Sequence, residues 1–318
     1  MFSILGIVGT YRRFFVYVNI LWIESYEFSE LIIMKKIQSI LFETKEKFAA
    51  AGLDTPELDA RLLVQAALEM SRESLLLNNS QIITDFQSKK LSGLVRRRLE
   101  REPVARILGV RSFWKSEFKV SRETLDPRAD SETLVEAVLK NADKKSSPTI
   151  LDLGTGTGCL LLSLLQEFPQ ATGMGIDISA GAVQTAQENA ENLGLSGRAE
   201  FVHTDWGKME IRLPFDIVVS NPPYISEAEI PHLAPEVSEY DPYRALVGGK
   251  DGLECYRIIT NMLRSILKRS GKVYLEIGAT QAKDVQEILA ERGYRVLQTI
   301  QDLAGHDRCI VAQLAQDV

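Results

Sequence analysis

The chain has 318 residues, 45% of them hydrophobic and 25% charged, enough for two domains or one large one and ordinary for a soluble globular protein. Its net charge of −6 argues against a protein that holds long nucleic acid by neutralising phosphates, and leaves room only for a local basic patch. The three cysteines (Cys159, Cys255, Cys309) and three histidines (His203, His232, His306) are scattered, which predicts no metal site and no disulfide framework and fits a reducing cytosol.

Phe2 to Ile33 is rich in Phe, Tyr, Ile and Leu, but Arg12, Arg13, Glu24, Glu27 and Glu30 interrupt it. No apolar run there reaches the ~18–20 residues of a membrane span. Arg12 and Arg13 precede the apolar run Phe14 to Ile23 as in a signal peptide, yet Glu24-Ser-Tyr-Glu27 is no small-residue cleavage site. Residues 1–33 are therefore expected to be an extension, disordered or not native, with a membrane-associating arm as the sharper alternative.

From Ile37 to about Leu77 the chain reads as helices, with Leu41, Phe48, Leu58, Leu62, Leu63, Ala66 and Ala67 at roughly helical spacing. Asp54-Thr-Pro-Glu57 is a helix start signal. Leu91 to Glu102 predicts another helix, ended by Pro103; its Arg96, Arg97, Arg98 and Arg101 read as a solvated face, or as a surface for an acidic partner. Phe113 to Val120 alternates in part, like a short hairpin strand. Asp130 to Lys140 reads as a helix, and Lys144 to Pro148 as a linker.

Beyond Thr149 strands and helices alternate. Candidate strands are Ile150–Leu153, Gly173–Ile178, Ala199–His203, Phe215–Ser220, Lys272–Ile277, Arg295–Gln301 and Arg308–Gln313. Candidate helices are Leu160–Glu167, Ala180–Asn192, Cys255–Lys268 and Gln281–Glu291. This alternation predicts an α/β domain, with a mostly parallel sheet covered on both faces.

Asp152-Leu-Gly-Thr-Gly-Thr-Gly158 follows the first of these strands. Gly154, Gly156 and Gly158 let backbone approach a ligand closely, with Thr155 and Thr157 between them, at the edge where open α/β sheets bind ligands. The spacing is not the dinucleotide G-x-G-x-x-G form. Asp177 ends the second strand, where a carboxylate can accept both hydroxyls of a ribose; a helix-capping role is the plainer reading. Asp205-Trp206 ends the third strand and reads as adenine recognition, or as a turn with a partly buried Trp.

Asn221-Pro-Pro-Tyr224 directly follows the apolar run Phe215 to Ser220. An amide nitrogen is a poor nucleophile, because its lone pair is delocalised into the carbonyl. The Asn221 side-chain oxygen and the Pro222 carbonyl can each accept one N–H of a planar –NH2 group and hold its plane. Pro223 offers no competing N–H, and Tyr224 can pack over the flat group and exclude water. With the glycine loop, this set points to methyl transfer from S-adenosylmethionine to a planar nitrogen.

At these residues the chain resembles the class I S-adenosylmethionine-dependent methyltransferases and, more narrowly, the release factor glutamine N5-methyltransferases of the PrmC/HemK family. The likeness runs from about Met34 to the C-terminus. It rests also on Pro103-Val-Ala-Arg-Ile-Leu-Gly109 with Phe113-Trp114, on Leu125-Asp-Pro-Arg-Ala-Asp-Ser-Glu132, on Gly248-Gly-Lys-Asp-Gly252 and on Glu276-Ile-Gly278. It implies a helical substrate-recognition domain over 34–108, a β-hairpin link over 109–125, and a seven-stranded Rossmann-like methyltransferase domain over 126–318.

It further implies that Gly154 to Gly158, Asp177 and Trp206 hold S-adenosylmethionine, and that Asn221 to Tyr224 hold the substrate glutamine with Asn221 close to the methyl donor too. Phe113 is expected to line the glutamine pocket. The expected partners are peptide chain release factors, methylated on the glutamine of their Gly-Gly-Gln loop by a cytoplasmic monomer without stable nucleic-acid binding or membrane attachment. The family often has Ile-Pro-Arg-Pro-Asp-Thr-Glu where this chain has Asp126-Pro-Arg-Ala-Asp-Ser-Glu132, and loss of the second proline at Ala129 is expected to loosen that segment.

Two enzyme readings stay open beside this one. A ribosomal-protein glutamine methyltransferase would share the catalytic core, and Asn-Pro-Pro-Tyr also occurs in adenine-N6 and guanine-N2 nucleic-acid methyltransferases. The intact Asn221 and Tyr224 argue against a non-enzymatic scaffold.

Overall fold

In the computed structural model, which describes residues 35–143, 146–208 and 214–315, the chain divides into two units, residues 1–95 and 96–318. The reading of residues 1–33 lies outside the described residues. The first unit contains α1 (Ile37–Ala50), α2 (Pro56–Leu68), α3 (Arg72–Leu77) and the start of α4 (Asp85–Leu99). Phe48 and Leu63 are fully buried in it, whereas Leu58, in the same periodic set, is exposed. Pro56 opens α2 as its start signal predicts, but Thr55 turns its hydroxyl to the Asp59 carboxylate (2.8 Å) instead of capping a backbone N–H.

α4 begins before Leu91 and ends before Glu102. Arg101 takes a left-handed φ of 70°, and Arg97 grips Glu102 with two hydrogen bonds of 2.6 Å. Arg98 does not belong to a solvated face. It is buried and ion-paired to Glu236 at 3.1 Å, and Arg101 reaches the same carboxylate.

In the second unit, α5 (Val104–Leu108) leads into a hairpin of β1 (Val110–Phe113) and β2 (Ser116–Lys119), followed by α6 (Glu132–Asn141). The main sheet takes β3 (Thr149–Leu153), β4 (Thr172–Asp177), β5 (Ala199–His203), β6 (Phe215–Ser220), β7 (Leu267–Glu276), β8 (Tyr294–Gln301) and β9 (Asp307–Leu314). Its order is β5-β4-β3-β6-β7-β9-β8; the first five strands run parallel, and β9 is antiparallel to β7 and β8.

The central strands β3 and β6 are near-continuous apolar runs because both faces are covered. One face packs against Leu134, Val135 and Val138 of α6, Leu161 and Leu164 of α7 (Cys159–Glu167), and Val183 and Ala186 of α8 (Ala180–Asn192). The short helices α9 (Pro235–Ser238) and α10 (Tyr243–Leu246) follow β6. The other face packs against Tyr256, Ile259 and Leu263 of α11 (Glu254–Ile266) and Val285 and Leu289 of α12 (Ala282–Glu291).

Because β3 to β6 are parallel, their carboxyl ends gather at one edge of the sheet. That edge carries the glycine loop, Asp177, Asp205 and Asn221.

Candidate active site

The loop after β3 is built from three glycines at positive φ, 76° at Gly154, 54° at Gly156 and 79° at Gly158. The backbone N–H groups of Gly154 and Thr155 both donate to the Ile176 carbonyl at 2.9 Å, tying the loop to β4. The Thr155 hydroxyl donates to Asp152 Oδ2 at 2.7 Å. The glycines do different work. A Cβ at Gly154 would sit 3.2 Å from the Trp206 ring, one at Gly158 would press on Leu162, Ala186 and Phe201, and one at Gly156 would meet nothing within 4 Å. Gly156 thus offers open backbone, while Gly158 is a packing glycine at the start of α7.

Asp177 accepts from Gly156 N on Oδ2 and from Ser179 N on Oδ1, both at 2.9 Å. Burial pushes its carboxyl above the usual range, against the pull of these backbone donors. Asn189 on α8 braces the loop from behind. Its Nδ2 donates to the Thr157 carbonyl (2.9 Å) and to the Lys119 carbonyl (3.0 Å), and its Oδ1 accepts from Lys119 N, so the hairpin and the glycine loop share one clamp.

The Asn-Pro-Pro-Tyr turn leaves the end of β6, where Ser220 is fixed by its hydroxyl to the Leu153 carbonyl at 2.7 Å. Asn221 Nδ2 donates to Ser131 Oγ at 3.1 Å. Its Oδ1 and the Pro222 carbonyl accept no hydrogen bond among the described residues. The Tyr224 carbonyl accepts from Gln281 Nε2 at 2.9 Å. Burial, reinforced by the Glu276 charge, pushes the Tyr224 phenol up to about 12, so it stays neutral at physiological pH.

Two glycines close the back of this turn. A Cβ at Gly248 would lie 2.6 Å from the Pro223 carbonyl oxygen, and one at Gly252 would lie 2.4 Å from that of Tyr224. Gly248-Gly-Lys-Asp-Gly252 is therefore the floor on which the turn rests.

Two cavities meet at Asn221. The larger, about 980 Å³, is lined by Gly154, Thr155, Gly156, Thr157, Asp177, Asp205, Trp206, Asn221 and Pro223. The smaller, about 310 Å³, is lined by Asn221, Pro222 and Tyr224 together with Arg128, Arg308 and Leu233. Leu125, Arg128, Asn221 and Ala245 line both. Two expected site residues lie elsewhere. Gly158 lines neither cavity, consistent with its packing role. Phe113 also lines neither: it is 2% exposed and meets Phe118 edge-on in the core, because Trp114 N donates to Glu132 Oε1 (2.7 Å) and pins the hairpin tip to α6.

Other groups of the site had no role assigned from sequence. Asp241, whose side chain is fully buried, takes Arg106 at 2.8 Å and Arg128 at 2.5 Å, which holds the segment before Tyr243 against the rim. Ser131 sits behind Asn221 at the end of a 3-10 turn over Ala129–Ser131, formed although Ala129 stands where the family often has proline. Glu276 ends β7 with a carboxyl pushed up to about 7 by burial.

Residues 39–109 match the PrmC N-terminal domain and residues 144–301 match a methyltransferase domain. The release factor glutamine methyltransferase of Rhodospirillum rubrum is 45% identical over 267 residues, 84% of this chain and 82% of that protein. The chain belongs to the release factor glutamine methyltransferase family. The relative from Agrobacterium fabrum is 41% identical, covering 86% of this chain and 96% of its own. A solved release factor-specific protein-(glutamine-N5) methyltransferase from Alicyclobacillus acidocaldarius is 30% identical over 60% of this chain and 94% of its own, with a TM-score of 0.36. Among the described residues no helix is long and apolar enough to cross a membrane.

Proposed function

We propose that this enzyme transfers a methyl group from S-adenosylmethionine to the side-chain amide nitrogen of the glutamine in the Gly-Gly-Gln loop of peptide chain release factors. The observation that carries the reading is the Asn221 carboxamide on the shared wall of the two cavities, its Nδ2 committed to Ser131 and its Oδ1 left to accept. Membership of the family supplies the substrate.

The larger cavity fits the cofactor. It lies at the upper end of the usual size range for small-molecule sites. Gly156 offers backbone with open space beside it, and Asp177 offers acceptor capacity suited to a ribose diol. Gly154 to Thr157, Asp177, Asp205, Trp206 and Asn221 would hold the group, which supplies an electrophilic methyl on a sulfonium.

On the substrate side, Asn221 Oδ1 and the Pro222 carbonyl accept the two N–H bonds of the glutamine amide and fix its plane. Pro223 adds no donor, and neutral Tyr224 walls the smaller cavity and keeps water out. Catalysis is then positioning in a dry site, and the surplus amide proton leaves without a strong base.

The same reading makes residues 34–108 the substrate-recognition domain, 109–125 the link and 126–318 the methyltransferase domain. It also makes the protein a cytoplasmic monomer without stable nucleic-acid binding, supported by the net charge of −6 and three free cysteines.

The test is transfer of labelled methyl to release factor, its Gln→Ala loop variant, ribosomal protein and DNA. Label is expected on release factor alone; label on DNA, or equal label on the loop variant, overturns the proposal. Asn221→Ala should lower kcat by about 100-fold or more, the scale of losing an oriented polar group in a preorganised site. Its cofactor affinity, read by calorimetry, should stay within about fivefold, since one contact of many is lost. Full activity in that variant refutes the role of Asn221.

A further inference from the structure

A Gly-Gly-Gln loop offers an enzyme a single side chain, and the smaller cavity has a volume of only about 310 Å³. A stable protein–protein contact covers roughly 800 Å² on each partner, so the body that carries the loop must be met at the rim. The turn between β8 and β9 belongs to that rim. β9 is antiparallel to β7, with Cys309 paired to Glu276 at the end of β7, so the turn emerges at the same edge of the sheet as Asn221. Two strand spacings, about 10 Å, separate β9 from β6. Arg308, the second residue of β9, lines the smaller cavity.

The turn is held firmly. Asp302 Oδ1 accepts from Ala304 N (2.9 Å) and His306 N (3.0 Å), and its Oδ2 accepts from Arg308 Nε (3.1 Å) and Nη2 (3.0 Å). Arg308 Nη1 donates to the Ile277 carbonyl at 3.2 Å, so the turn and the cavity wall form one network. Leu303 projects from this turn, 109% exposed and lining neither cavity. The exposed apolar side chains Ile178, Tyr243 and Ile258 of the same unit line the larger cavity, where the cofactor gives them a neighbour. A lone exposed leucine is ordinary, but one held out by a braced turn beside the entrance for a protein substrate has a use.

We propose that Leu303 is a docking residue, an apolar knob that seats against an apolar spot on the body of the release factor beside its Gly-Gly-Gln loop while the glutamine occupies the smaller cavity. The inference rests on the proposed function and adds a contact outside the catalytic machinery. Asp302 and Arg308 then serve docking by holding Leu303 in place against the cavity wall. Because the knob touches the body of the substrate and not the reacting amide, its contribution is to binding and not to the chemical step.

The experiment pairs Leu303→Asp with Leu303→Met, which keeps an apolar side chain of similar size; neither change disturbs a packed contact, since the side chain is fully exposed. With full-length release factor as substrate, Leu303→Asp should raise KM by about tenfold or more, the scale of losing one buried leucine from an interface, with kcat changed less than about threefold. The Kd for release factor, read by calorimetry, should rise by the same factor, and Leu303→Met should restore both. S-adenosylmethionine affinity should be that of wild type in both variants, because Leu303 lines neither cavity. An unchanged KM and Kd in Leu303→Asp overturns the docking role, as does a loss confined to kcat. If the wild-type enzyme fails to methylate release factor, the proposed function itself falls; if it methylates release factor and Leu303→Asp does so with the same KM, only the docking role falls.

Discussion

The carboxylate of Asp177 is already half used by its own chain, one lone pair of each oxygen being taken by Gly156 N and Ser179 N. Each oxygen keeps a second lone pair, and two acceptors side by side match a pair of vicinal hydroxyls. Asp177→Asn replaces one acceptor by a donor that also faces a backbone N–H. S-adenosylmethionine affinity, measured calorimetrically, is expected to weaken by about 10- to 100-fold, the range for unsatisfying a buried polar group. At saturating cofactor, kcat should move by less than about threefold, because the lost contact is to binding and not to the reacting amide. An unchanged Kd would remove Asp177 from the cofactor site. Asp177 and the glycines were legible in sequence because strand, loop and helix fix them within a short stretch. Ser131 and Asp241 were not, since their contacts join residues 90 and 113 positions apart.

The elements themselves were legible where the local pattern was clear, as in the apolar run of β6 and the helical periodicity of α8. Ala199–His203, Phe215–Ser220 and Ala180–Asn192 fall where the pattern places them. β7 starts at Leu267, before the expected Lys272, because Lys268, Arg269 and Ser270 mask a strand whose polar start lies outside the core. The antiparallel insertion of β9 between β7 and β8 left no local mark, since periodicity does not encode direction. Phe113 was misplaced because an aromatic at a hairpin tip reads alike whether it faces a ligand or the core.

The glycines of Gly248 to Gly252 were visible as a motif, but their reason is tertiary: they are where the Asn-Pro-Pro-Tyr turn touches down. Gly252→Ala adds a Cβ 2.4 Å from the Tyr224 carbonyl oxygen at φ 74°, whereas Gly305→Ala meets φ 84° with nothing within 4 Å. Both carry backbone strain of about 1–3 kcal/mol. Only Gly252→Ala should also lower kcat, by about tenfold or more, because it displaces the turn that orients the amide. Equal kcat in the two variants would show that the glycine floor does not position Tyr224.

At the scale of the whole molecule, burying carboxyls under the cofactor edge sets how stability depends on pH. Asp152, fully buried, is pushed from 3.8 to about 7 by burial, and Glu276 from 4.5 to about 7 by the same cause. Burial also raises Asp126 and Asp177. The folded protein therefore holds protons that the unfolded chain has released. Stability must fall as pH rises from about 4 to about 7 and level off above that, at about 1.4 kcal/mol per pH unit for each group that keeps its proton.

Asp216, Asp251 and Asp302 are lowered and work the opposite way, but their effect is confined to pH below their ordinary range near 4. Asp152→Asn keeps an oxygen for the Thr155 hydroxyl and removes one ionisation. In ligand-free protein its Tm is expected to decline less steeply between pH 5.5 and 7.5 than that of wild type, and at pH 8 to exceed it. Relieving the Asp152 charge also eases the neighbouring Asp177, which acts in the same direction. Parallel melting profiles of the two proteins across this window would mean that Asp152 is ionised in the folded state throughout, and that its burial is offset by contacts the amide also makes.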